Sequence, residues 1–146
     1  MSRALKGPAW HGPALFEILQ GVTAAQAYAT PIPSAHSIRD IVAHVGAWLE
    51  LVRRRIDGER VGRVTLEMDW PPAITRTPAS WKATVDGVRD AARRLGATLG
   101  KMDDGRLEDQ VEGTDGTWSA YATLHGTIEH VLYHAGQIAL LKKAAG

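Results

Sequence analysis

Two histidines, His130 and His134, lie four residues apart in the stretch TWSAYATLHGTIEHVLYHAGQIALLKKAA, from Thr117 to Ala145. On a helix that spacing stacks both imidazoles on one face, where the pair can grip a metal ion. A third histidine, His44, falls on the apolar side of another helical stretch. Three neutral imidazoles leave a divalent ion's charge uncompensated and a coordination position open. Such an ion is a Lewis acid that lowers the pKa of bound water or of another bound acid. Zinc suits this donor set, and nickel and iron are also compatible with it. The HVLYH spacing departs from the zincin pattern HExxH, because Val131 stands where the catalytic glutamate would be; this argues against a metalloprotease. The competing reading is that each is a core imidazole hydrogen-bonded to a carbonyl, and spacing alone does not separate the two.

The elements that must position these residues read as four helices. The fourth runs from Thr117 to Ala145, with Thr117 or Ser119 as N-cap and Lys142 and Lys143 complementing the dipole at its end. Tyr121, Leu124, Ile128, Val131, Leu132, Ala135, Ile138 and Ala139 give it a buried stripe. The second opens at Ser34 to Ser37 and continues to about Asp57, stopped by Gly58. Ile38, Ile41, Val42, Val45, Trp48, Leu49, Val52 and Ile56 share one arc, with Arg39, Glu50, Arg53, Arg54 and Asp57 opposite. The first spans about Gly12 to Tyr28, with a break at Gly21 and a short continuation capped by Thr23. The third starts at Thr77-Pro78 and reaches about Leu99.

Between the second and third helices, Val61, Val64 and Leu66 read as a short extended piece, followed by a non-helical crossing, Met68 to Pro72. A connection of this length is often functional. Residues 100–116 read as a polar, Gly-rich linker with a hairpin-like Val111-Glu112-Gly113. The pattern is all-α, a four-helix bundle whose long connections can cross from one end to the other.

Trp48 and Trp70 are candidates to line a pocket beside the histidines, or else large core anchors. Gln137 shares the face of His130 and is a candidate histidine partner or substrate contact. His11, His36 and His125 read as surface or structural residues. Tyr133 and Leu140 lie away from the apolar stripe, a placement that suits contact with a second subunit.

The bulk numbers narrow the function classes. At 146 residues, with 45% apolar and 23% charged content, the chain suits one globular domain over residues 1–146. A net charge of +1 argues against nucleic acid as a partner. Arg53, Arg54 and Arg55 form a dense basic run that reads as a solvated helix end. The absence of cysteine excludes thiolate catalysis, disulfides and Cys-based zinc sites. No apolar run is long enough for a membrane span, and the first dozen residues do not resemble a signal peptide; the expected location is cytoplasmic.

The segments SIRDIVAHVGAW and HGTIEHVLYHAGQIALL closely resemble the DinB-like (damage-inducible) family, whose relatives include YfiT-type metal-dependent hydrolases and thiol-dependent S-transferases. The likeness continues through RIDGE and MDWPP. The resemblance implies a four-helix bundle, commonly a homodimer, that binds a divalent metal through His44, His130 and His134. It further implies activation of a low-molecular-weight thiol, such as bacillithiol or mycothiol, for transfer to a small substrate. With no cysteine in the chain, such a thiol must come from outside. A metal-dependent hydrolase and a non-catalytic metal-binding or structural dimer are the alternatives.

Overall fold

The computed structural model describes residues 1–113 and 115–146. In chain order these form α1 (Ser2–Lys6), α2 (Leu15–Ile18), α3 (Ala24–Tyr28), α4 (Ile38–Ile56), α5 (Leu66–Asp69), α6 (Pro78–Leu99), a 3-10 turn (Asp104–Glu108), β1 (Gln110–Glu112), β2 (Thr117–Ser119) and α7 (Ala120–Ala144). Each long helix begins where a side chain can take up an orphan N–H. Ser37 Oγ accepts from the Asp40 N–H at 3.2 Å, and the Asp40 carboxylate accepts from the Ser37 N–H at 3.3 Å. Thr77 accepts from the Ser80 N–H at 3.1 Å, with Pro78 in the first turn. Ser119 accepts from the Ala122 N–H at 3.1 Å. Caps of this kind contribute about 1 kcal/mol each.

Central in the bundle is α4, which packs against both α6 and α7. Ile41, Val42, Val45, Leu49, Val52 and Ile56 are buried along it, facing Val88 and Leu95 of α6 and Val131, Ala135 and Ile138 of α7. Full burial of such a side chain is worth roughly 1.5–3 kcal/mol. At Gly46 the approach of α6 is close: a Cβ there would meet Val88 Cγ2 at 3.0 Å. The fourth position of the bundle is filled by two one-turn pieces. Gly21, at φ 73°, ends the first, and Thr23 caps α3 by accepting from the Gln26 N–H at 3.2 Å. The expected break therefore occurs, but α2 starts at Leu15 rather than Gly12, where Glu17 reaches back to the Ala14 N–H at 2.7 Å. An additional turn, α1, buries Ala4 and Leu5 and packs on α2 and α7.

Several expectations need correction. Leu66 is not in an extended piece, nor is Met68-Asp69 non-helical: both lie in α5, a single turn begun by Thr65, which accepts from the Met68 N–H at 3.3 Å. Thr117 does not cap α7; it pairs with Glu112 in a two-stranded antiparallel hairpin that leaves Ser119 at the cap. Tyr121 is outside the buried stripe, 57% exposed and stacked on His125. Arg39 and Arg55, read as solvated, are both buried. Arg53 and Arg54 do face solvent, in ion pairs with Glu50, Asp57 and Glu59. Among the described residues, no helix is long and apolar enough to cross a membrane.

Candidate metal centre

Because α4 and α7 are neighbours, the inward histidine of one meets the helical pair of the other. His44 Nε2 lies 2.9 Å from His130 Nε2, and His134 Nε2 lies 3.1 Å from the same atom. The potential ligand atoms of all three residues fall within 4.8 Å of one another. His44 and His134 are buried and His130 is half-buried.

What lies behind the rings decides which nitrogen faces the centre. His44 Nδ1 is 2.8 Å from the Asp69 main-chain oxygen and 3.1 Å from its carboxylate. Both are acceptors, so Nδ1 carries the proton and Nε2 presents a lone pair. His134 Nδ1 donates in the same way to Gln137 Oε1 at 2.6 Å. Two lone pairs and the Nε2 of His130 thus converge on one point, and at most one hydrogen on His130 could sit between them. A cation satisfies all three, and the N···N separations suit imidazoles around one divalent ion at the usual metal–nitrogen distance of about 2.0–2.1 Å. The residues fit a metal. Burial, reinforced by the neighbouring imidazoles, lowers the His130 pKa to about 4; burial likewise lowers those of His44 and His134. All three are therefore neutral and ready to ligate at neutral pH.

Asp69 reaches this position through a strap that folds over α4. Trp48 Nε1 donates to the Asp69 carboxylate at 2.7 Å. Buried Arg39 donates to the main-chain oxygens of Pro71 and Pro72 at 2.5 and 3.1 Å, fixing the far side of the strap. Trp70, between these ties, stacks on His44 with centroids 4.0 Å apart, and His36 stacks on its opposite face at 3.6 Å. His36 is exposed, as expected, yet it forms part of this wall rather than being a bystander. His125 lies apart, paired with Glu129 at 3.4 Å. Asp69 was missed by the sequence analysis; its signal was a lone acid in the MDWPP segment. Gln137, expected on the face of His130, hydrogen-bonds His134.

Two clefts meet the triad. One, of about 460 Å³, is lined by Ile32, His36, Trp70, Tyr133, His134 and Leu140, and Gln137 also reaches it. The other, of about 250 Å³, is lined by Trp48, Val52, Arg55, Thr123, Thr127 and His130. Trp48 and Trp70 each border a cleft, while Trp70 also packs against the core.

Imidazoles converging from facing helices define the class: a helical bundle with a cluster in its interior that can hold a metal ion. The sequence profile of the DinB superfamily matches residues 10–138, and the chain belongs to that superfamily. A solved structure, described as the crystal structure of the conserved protein of locus from Enterococcus faecalis, is similar in fold. It is 17% identical with a TM-score of 0.66, over 90% of this chain and 88% of that one. No curated protein matches the chain.

Proposed function

We propose that this protein is a metal-dependent enzyme that transfers a small external thiol to a small electrophile. One observation carries the reading: three imidazole Nε2 atoms converge between two clefts, one bordered by His134 and the other by His130, and two of them are aimed by acceptors on their Nδ1 atoms. His44, His130 and His134 would hold the ion, zinc or nickel first and iron as a further candidate. When bound, it supplies Lewis acidity that favours the thiolate form of a thiol near neutral pH. The chain's own residues do the rest. Asp69 and Gln137 fix the two imidazoles. Trp70, Tyr133 and Leu140 offer an apolar surface to the electrophile and exclude water from it. In the transfer itself a sulfur–carbon bond forms, the leaving group departs with its electron pair, and the thiol proton passes to solvent.

The same rim, Ile32, Tyr133 and Leu140, is exposed and gives a second copy of the chain an apolar edge; sedimentation of the untagged protein tests the homodimer. The catalytic reading is tested by elemental analysis of wild type beside His44→Ala, His130→Ala and His134→Ala. About one divalent ion per chain, lost in each variant, is expected, together with conjugation of monochlorobimane to a small thiol. Wild type that neither retains a divalent ion nor gains thermal stability when zinc or nickel is added would overturn it. Metal without turnover would leave the non-catalytic metal-binding alternative.

A further inference from the structure

The last turn of α4 places a buried cation beside the triad. Arg55 is 8% exposed, and its guanidinium carbon lies 5.8 Å from the centre of the Trp48 ring. The same ring has His130 at 5.8 Å between centroids. Arg55 and His130 are thus two walls of one crevice, with Trp48 and Val52 as its apolar side and Thr123 and Thr127 as hydroxyl-bearing neighbours on α7. Burial lowers the Arg55 pKa from its ordinary value, and the nearby Glu112 carboxylate opposes that. An arginine keeps its charge at neutral pH.

A positive fork at one end, an aromatic wall and the imidazole cluster at the other suit a molecule with two different ends. Guanidinium recognises carboxylate and phosphate alike through charge-assisted hydrogen bonds. Here, however, Glu112 and Asp115 line the adjoining surface around Arg55. Their charges disfavour a phosphate dianion relative to a singly charged carboxylate. The volume, about 250 Å³, admits a small molecule and little more.

We infer that this crevice binds a small carboxylic acid, with its carboxylate on Arg55 and its other end at the triad. Resting on the proposed thiol transfer, this makes Arg55 the residue that selects an acidic thiol over a neutral one. The apolar cleft beyond His134 is left to the electrophile.

The test uses cobalt(II)-loaded full-length protein and the near-ultraviolet thiolate-to-cobalt band, which reports thiol coordination without turnover. Mercaptohexanoate and mercaptopropionate are titrated against mercaptohexanol and mercaptopropanol. Wild type should bind at least one acid about tenfold or more tightly than its matching alcohol, the size expected of a hydrogen bond to a charged group. Arg55→Gln should bind acid and alcohol alike, at the wild-type affinity for the alcohol, and Arg55→Lys should keep part of the preference. Equal binding of each pair by wild type, or an undiminished preference in Arg55→Gln, would overturn the inference. Should Arg55→Gln fail to fold, the wild-type comparison and Arg55→Lys decide it. A protein that takes up no cobalt, or gives no band with any thiol, defeats the thiol-transfer reading instead. Calorimetry of hexanoate against hexanol, on the purified wild type and Arg55→Gln, then judges the crevice separately: a preference lost with the arginine supports it, and no preference overturns it.

Discussion

The two clefts that share the histidine triad are built from different material. On the His134 side irregular chain supplies part of the wall beside residues of α7: Ile32 and His36 precede α4, and Trp70 is held in the strap after α5. On the His130 side the lining comes from the facing surfaces of α4 and α7, from Trp48 to Arg55 and from Thr123 to His130. The first is wide and apolar; the second is narrower and carries a cation. A helix groove offers fixed positions at fixed spacing, which suits a charge that must be held in place. A strap can be reshaped without disturbing the bundle, which suits an apolar partner of variable form.

The largest expected effect is on what the two clefts have in common. Replacing His130 with Ala removes the nitrogen closest to both others and should weaken zinc or nickel binding by more than about 100-fold, beyond the range for outer partners. Metal content after dialysis is the readout. Should His130→Ala still retain a full equivalent of metal, the clefts do not share a centre. Gln137→Leu, which releases His134 Nδ1, should cost about 10–100-fold in metal affinity, measured by competition with a chromophoric chelator.

The next changes act on one side only. Trp70→Ala should raise KM for an apolar electrophile by about tenfold, the worth of one or two methylenes' burial, while metal content stays near wild type. An equal effect on small neutral thiols alone would reverse the assignment of the clefts. Arg39→Ala frees the strap from α4 and should destabilise the protein by about 1–3 kcal/mol, the usual cost of losing charged hydrogen bonds to buried acceptors, as read from urea unfolding.

The smallest effect is on pH dependence. With metal stripped, His130 titrates near pH 4 when folded and near 6.5 when unfolded. Between those values the unfolded chain binds more protons, so stability is full above about pH 6.5 and falls as pH drops toward 4. The loss should be on the order of 1–2 kcal/mol, allowing for the partial exposure of the ring. His130→Gln should reduce the slope in that window, leaving the part due to His44 and His134; an unchanged slope would mean that the His130 ring is not desolvated as described.

The sequence revealed the helical half of this comparison better than the strap half. Periodicity places His44, His130 and His134 on inward faces, and the fold brings those faces together. Gln137 follows from the same arithmetic, three residues beyond His134. Arg55 was also within reach: from Trp48 to Val52 to Arg55 the steps are four and three, the spacing of one helical face. Its neighbours Arg53 and Arg54 concealed it, because three like charges in a row read as a solvated end. Asp69 and His36 were not legible in this way. Their roles depend on a chain segment returning across α4, and no local period records that return. Arg39 escaped for the same reason, since the two carbonyls it binds lie more than 30 residues downstream.

His44 and His130 are 86 residues apart, and the chain has no cysteine. An ion held by both would therefore act as a cross-link that closes most of the molecule into a ring. By the chain-entropy relation for loops of that size, a tie of this kind restricts the unfolded state by about 4–5 kcal/mol. That resembles what a disulfide supplies to a secreted domain, but a chelator rather than a reductant would undo it.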